Sequence, residues 1–199
     1  MVMAKRGYHN PYKIALISTH GTGKTTLASE LVSALKKRGY RARGITEIAT
    51  MFMEEGFPIN EKTKLSVQYA ILNTQMSEEQ KISMRNYEIV VLDRAVYDNL
   101  VYLERGCGKI KWIREWVLNY AKKFPYDALY RLPMVGSLQE DGVRSVNDAF
   151  QKDIDRRLTK LLREEKIPHK VLPAPTTELR EEWVHIILND TLKALGGRK

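Results

Sequence analysis

The chain has 199 residues, 43% of them apolar, and 33 Lys and Arg against 24 Asp and Glu, for a net charge of +9. That length and apolar share suit one globular domain burying ~70% of its unfolded surface, and they exclude a disordered tail protein. The lone cysteine, Cys107, excludes an internal disulfide framework and a cysteine-built zinc site.

Short apolar runs alternate with longer amphipathic segments, the pattern of a parallel sheet with helices between its strands. Tyr12–Ser18 reads as a buried strand. Thr25–Lys37 follows as a helix, with Leu27, Leu31 and Leu35 on one face, a basic last turn and Gly39 as its stop. Tyr40–Thr46 is a second, weaker strand. Residues 61–84 read as mostly helical, and Tyr87–Asp93 is the clearest strand in the chain. Helices near 95–104 and 109–123 lead to a fourth strand at Tyr126–Leu132. Pro133–Val146 is a polar loop holding Gly136 and Gly142. Asn147 then caps a long helix with Phe150, Ile154, Leu158 and Leu161 on its apolar face. Pro168–Leu172 is a fifth strand. A closing helix starts at Thr176 and Thr177 and carries Trp183, Ile186 and Ile187. The expected fold is a three-layer α/β domain over 1–199, with a five-stranded parallel sheet and its site at the strands' C-terminal ends.

The first turn carries the strongest chemical signal. Ser18-Thr19-His20-Gly21-Thr22-Gly23-Lys24-Thr25-Thr26 lies between a strand and a helix and ends as a phosphate-binding loop, or P-loop, ends. Glycines let backbone N–H groups approach phosphate oxygens, and the helix N-terminus adds the positive end of its dipole. Lys24 reaches the β- and γ-phosphates, and the Thr25 hydroxyl serves Mg²⁺. Thr19, His20, Gly21, Thr22, Gly23, Lys24, Thr25 and Thr26 are therefore the expected ATP-binding residues, His20 reading equally well as loop decoration. Ser18 stands where the usual pattern has its first glycine. At the third strand, Val90-Val91-Leu92-Asp93 runs apolar residues into an acid, which either holds Mg²⁺ beside the loop or caps the next helix. Arg94 follows at once, and a fixed guanidinium there suits a phosphate or a reacting hydroxyl. Asp98 either orients Arg94 or is an ordinary helix charge.

The run Asp93-Arg94-Ala95-Val96-Tyr97-Asp98-Asn99-Leu100-Val101-Tyr102 resembles the Asp-Arg motif of P-loop nucleoside and nucleotide kinases. The wider layout, over about residues 12–190, resembles the ribosylnicotinamide-kinase-like P-loop family. The resemblance implies an ATP-dependent phosphotransferase with Mg²⁺ and a small, nucleoside- or nucleotide-like acceptor bound by residues 46–125. It assigns Glu47, which follows the second strand, to the acceptor hydroxyl; the alternative is an exposed acid at a helix start. It also implies a lid over 133–146 bringing Arg144 to the transferring phosphoryl group, where a loop salt bridge to Asp141 or Asp148 is the alternative. Lys24, Glu47, Arg94 and Arg144 are thus the expected catalytic residues, and Thr25 and Asp93 the expected metal ligands.

Charge is uneven along the chain: residues 1–45 carry nine basic and one acidic residue, 46–104 carry five and ten, and 105–131 carry seven and two. An acidic acceptor region repels a polyanion and favours a small metabolite. The basic segments keep two other classes in view, a polynucleotide kinase or nucleic-acid-dependent ATPase and a nucleotide-binding regulatory ATPase. No apolar run approaches the ~18 residues of a membrane span, and the N-terminal stretch lacks a signal-peptide core, so a cytoplasmic location is expected.

Overall fold

The computed structural model describes residues 10–134, 148–174 and 179–196. Five parallel strands form one sheet in the order β2-β3-β1-β4-β5: β1 (Tyr12–Ile17), β2 (Ala42–Ile45), β3 (Ile89–Asp93), β4 (Ala128–Arg131) and β5 (Lys170–Val171). Helices cover both faces, as an all-parallel sheet requires. On one face lie α1 (Lys24–Lys37) and the closing helix α7 (Leu179–Gly196). On the other lie α3 (Leu65–Ser83), α4 (Val96–Cys107), α5 (Lys111–Lys123) and α6 (Asp148–Glu164).

The strands alternate between two cores. Ile14 and Leu16 join Leu27, Leu31, Leu35, Trp183 and Ile187 on the α1 side. Ala15 and Ile17 join Leu72, Leu100, Leu103, Phe150, Ile154 and Leu158 on the other. Because successive side chains point to opposite faces, a strand buried on both must be apolar throughout, and every residue of β1 and β3 except Lys13 and Asp93 is. The fold class read from the sequence is the one observed.

Element ends shift by a few residues. The weaker strands are shorter than their apolar runs, β5 keeping two residues at the sheet edge. The segment 61–84 splits into a 3₁₀ turn (Asn60–Lys62) and α3. A short helix, α2 (Ile48–Glu54), starts after Glu47 and fully buries only Ile48, so it shows no apolar stripe in the sequence. Asn147, Thr176 and Thr177 lie outside the described residues, as do 135–146 of the expected lid and Arg144 with them. Among the described residues no helix is long and apolar enough to cross a membrane.

Register decides what meets at the top of the sheet. Leu16 pairs with Asp93, so the end of β3 lies beside the start of the phosphate loop. Ile45 pairs with Leu92. Glu47 and Arg94, each two residues further on, therefore emerge side by side.

Candidate active site

The phosphate loop is built from its own backbone. Gly21 and Gly23 sit at φ 73° and 83°, in the left-handed region that a Cβ disfavours. Ser18 needs no such freedom, because its φ is not positive, so the missing first glycine costs the loop nothing. Instead Ser18 is buried, its N–H donates to Asp98 Oδ1 at 3.1 Å, and its hydroxyl pairs closely with that of Thr22. Lys24 curls back into the loop and donates to the Thr19 carbonyl at 2.6 Å, Ser18 Oγ at 3.2 Å and Thr22 Oγ1 at 3.4 Å. Burial, and then the neighbouring Arg94, push its ammonium down to about 8, with Asp93, Glu47 and Asp98 pulling the other way.

His20 is buried, with Nδ1 3.0 Å from the Tyr102 hydroxyl and its ring 5.7 Å from that of Phe150. Gln151, from α6, donates to the His20 carbonyl at 2.8 Å and ties the loop to the far helices. Thr25 and Thr26 are exposed at the start of α1. Thr25 Oγ1 donates to Asp93 Oδ2 at 2.6 Å. The other carboxylate oxygen, Asp93 Oδ1, is buried without a hydrogen-bond partner. Burial, followed by the Glu47 charge, raises the Asp93 pKa against the pull of Lys24.

Asp93 does not cap the next helix. Ala95 is the N-cap of α4, and the caps come from elsewhere: Asp98 Oδ2 accepts from the Ala95 N–H at 3.0 Å. Asp98 thus spends both oxygens on backbone N–H groups, joining the loop's first residue to the start of α4. Its own pKa is raised to about 6 by burial, which outweighs Arg94, Lys24 and these two hydrogen bonds.

The carboxylate that orients Arg94 is Glu47. Arg94 Nε and Nη2 both lie 2.7 Å from Glu47 Oε1, and the guanidinium rests 4.8 Å over the Tyr102 ring. Both residues are buried, Arg94 at 4% exposure and Glu47 at 9%. Glu47 is the N-cap residue of α2, but its side chain makes no capping bond, so the helix-start reading fails. Burial works against the Arg94 charge, yet Glu47, and after it Tyr102, Asp98 and Asp93, hold its pKa well above the ordinary value. Nη1 remains buried without a partner.

Lys24, Asp93, Arg94, Glu47 and Thr25 therefore converge, as the motifs implied. Tyr102, Gln75 and Gln151 support them without having been singled out. The one available signal was α3, where Gln68, Gln75 and Glu79 recur at i, i+7 and i+11 and are buried. Polar residues on a helix's inward face need partners; Gln75 donates to Glu79 and to the Arg94 carbonyl, while Gln68 donates to Thr63. Among the described residues no group of three or more His, Cys, Asp or Glu could hold a metal ion. An all-oxygen pair, Asp93 and Thr25, instead fits a hard cation that takes its remaining ligands from phosphate and water.

Some of the basic residues are spent inside the molecule, while Lys36, Lys37, Arg38, Lys122 and Lys123 stay exposed. Lys13 and Lys24 are buried. Arg114 pairs with Glu104 at 2.8 Å and Glu165 at 2.9 Å, and Arg131 with Asp155 at 2.8 Å. Tyr69 packs edge-on against Trp112, which is otherwise exposed, at 5.7 Å, and it lies against Trp116 at 5.5 Å.

Residues 13–181 match the family model described as an AAA domain. No curated protein matches the sequence. Among solved structures, the NadR protein in complex with NAD and AMP-PNP has a TM-score of 0.72 at 17% identity, covering 95% of this chain and 51% of that one. NadR in complex with NR has a TM-score of 0.68 at 16% identity, covering 83% and 44%. The deoxyadenosine kinase of M. mycoides, with dCMP and a flexible dCDP bound, has a TM-score of 0.62 at 15% identity, covering 91% and 99%. The chain spans about half the length of the NadR chains that it matches. At these identities the likeness is one of fold.

Proposed function

The chain belongs to the AAA domain family, and from that premise we propose that it is an ATP- and Mg²⁺-dependent phosphotransferase acting on a small, nucleoside- or nucleotide-like acceptor. One observation carries the reading: a buried Glu47–Arg94 pair at 2.7 Å, standing beside a phosphate loop rather than at a surface. Glu47 follows β2 and Arg94 follows β3, so the pair stands to one side of the lysine that follows β1, where an acceptor hydroxyl would meet both.

Lys24 would exchange its loop partners for the β- and γ-phosphates. The buried, unpartnered Asp93 Oδ1 and the Thr25 hydroxyl would hold Mg²⁺, which supplies charge neutralisation on the phosphates when bound. Arg94 keeps Glu47 in place through Nε and Nη2, leaving Nη1 for the acceptor or the transferred group. Glu47 receives the proton of the acceptor hydroxyl as the new O–P bond forms, the bond to the β-phosphate oxygen breaks and ADP leaves. Positioning and charge neutralisation supply most of the rate in such transfers, so a weakly basic carboxylate is sufficient.

The NadR structures were solved with NAD and NR and the deoxyadenosine kinase with dCMP, which supports a nucleoside-like acceptor here. The acidic balance of residues 46–104, five basic against ten acidic, supports a small acceptor over a polyanion. The test is an ADP-release screen with MgATP across nucleosides, nucleotides, vitamins and oligonucleotides, with the phosphorylated product identified by mass. Turnover with one small acceptor is the expected result. Stimulation by oligonucleotides alone would overturn it in favour of a polynucleotide kinase.

A further inference from the structure

Arg94 has φ 96°, one of two non-glycine residues with positive φ among the described residues. A side chain in that region costs about 1–3 kcal/mol and persists only where the surroundings over-determine it. The turn is held at four points. The Arg94 N–H donates to the Leu16 carbonyl at 3.1 Å, and its own carbonyl accepts from Gln75 Nε2 at 3.5 Å. The Ala95 N–H goes to Asp98, and the Val96 N–H donates to the Tyr126 hydroxyl at 3.0 Å.

The last of these is unusual. The first N–H groups of a helix have no intrahelical partner, and Ala95, at the N-cap, has no side chain to accept from them. A tyrosine thirty residues away does so instead. Its hydroxyl has one proton, and that proton goes to Glu79 Oε1 at 2.9 Å, which leaves a lone pair facing Val96. Glu79 is fully buried on α3 and also accepts from Gln75 Nε2 at 3.0 Å and from the Tyr120 hydroxyl at 3.1 Å, with Lys13 Nζ 3.9 Å away. Two of these three donors, Gln75 and Tyr126, also bind the backbone of residues 94–96. The third, Tyr120, does not.

Resting on the phosphotransferase reading, we propose that Tyr126, set by Glu79, is a positioning residue that pins the 94–96 turn so that the Arg94 guanidinium is presented to Glu47 and the transferred phosphoryl group. Tyr126 touches neither reacting group. Its effect reaches the chemistry through the strained backbone, and a misplacement of about 1 Å is worth up to about 100-fold in rate.

Tyr120 provides a matched control, since Tyr120→Phe removes the same hydroxyl from the same carboxylate without touching the turn. The full chain and both variants are assayed with MgATP and a mixture of common ribo- and deoxyribonucleosides as acceptor, and amide hydrogen exchange is followed at Ala95 and Val96. Tyr126→Phe is expected to lower kcat about 10- to 100-fold with an unchanged KM for ATP, and to speed Val96 exchange about tenfold or more. Tyr120→Phe is expected to change neither, at a similar melting temperature. Equal kinetics in the two variants, or unchanged exchange in Tyr126→Phe, overturns the proposal. If the wild type transfers phosphate to no nucleoside, the phosphotransferase reading loses its support there, and the exchange comparison alone decides whether Tyr126 pins the turn.

Discussion

The phosphate side and the acceptor side of this site are built in opposite ways. Lys24 bonds to Ser18, Thr19 and Thr22, at most six residues away, and its loop takes its shape from two glycines. Arg94 bonds to Glu47 across 47 residues, and its turn is pinned by Tyr126 and Gln75 from two other segments. The first is shaped mainly by neighbours along the chain, with Asp98, Asp93 and Gln151 anchoring it from outside. The second exists only when β2, β3, α3 and the segment before β4 are all in place. Damage to the first should remove function and spare the fold, whereas damage to the second should touch both.

The largest separation is expected from Lys24→Ala. Turnover should fall by about 10³-fold or more, because the point charge on an otherwise backbone-built anion site is gone, while the melting temperature stays near that of the wild type. Steady-state kinetics and thermal unfolding of one preparation check both halves. Wild-type turnover would break the phosphate-loop assignment.

Asp93→Asn sharpens the same side. Its Oδ1 is buried and unpartnered, a cost that only a cation or a ligand repays, so Mg²⁺-dependent turnover should fall about 100-fold while nucleotide binding changes little. A titration of Mg²⁺ against kcat, beside equilibrium binding of an ATP analogue, distinguishes them. Equal and small effects would reduce Asp93 to its hydrogen bond with Thr25.

A smaller effect concerns pH. With its pKa down at about 8, Lys24 is partly neutral in the empty site above that pH. A bound triphosphate favours the ammonium and raises the pKa, so ATP binding takes up a proton, about half of one at pH 8. Affinity should therefore weaken several-fold between pH 7 and 9. Titration calorimetry in buffers of differing ionisation enthalpy reads the uptake directly, and proton release would contradict it.

The smallest effect isolates strain on the acceptor side. Arg94→Ala and Arg94→Gly both remove the ion pair with Glu47, and both should be clearly destabilised. At φ 96°, however, glycine is free of the Cβ clash, so the glycine variant should be the more stable by about 1 kcal/mol. Urea unfolding compares them. Equal stability would mean that the turn stores no strain.

Much of this was legible in the chain itself, for reasons that are local. Leu27, Leu31 and Leu35 announce α1 because a helix repeats every 3.6 residues, and Ile89-Val90-Val91-Leu92 announces a central strand because both its faces are covered. Gly21, Gly23 and Lys24 announce a phosphate site because backbone geometry and charge sit within a few residues. The short helix α2 leaves no periodic signal because it fully buries one side chain, and Asp98 is ambiguous because a carboxylate four residues from an arginine looks like its partner.

The choice among those roles belonged to the tertiary structure. Strand register alone sets Glu47 beside Arg94, two residues past the Ile45–Leu92 pair, and so frees Asp98 to bind the backbone of Ser18 and Ala95. Tyr126, Gln75 and Glu79 have ordinary surroundings in sequence; only burial together turns them into a hydrogen-bonded hub. Periodicity and motif spacing depend on neighbours along the chain, so the amino-acid sequence by itself determined the α/β order, the two apolar faces and the phosphate loop. Which carboxylate meets which cation depends on long-range pairing and on where water is excluded, and folding the sheet decided that.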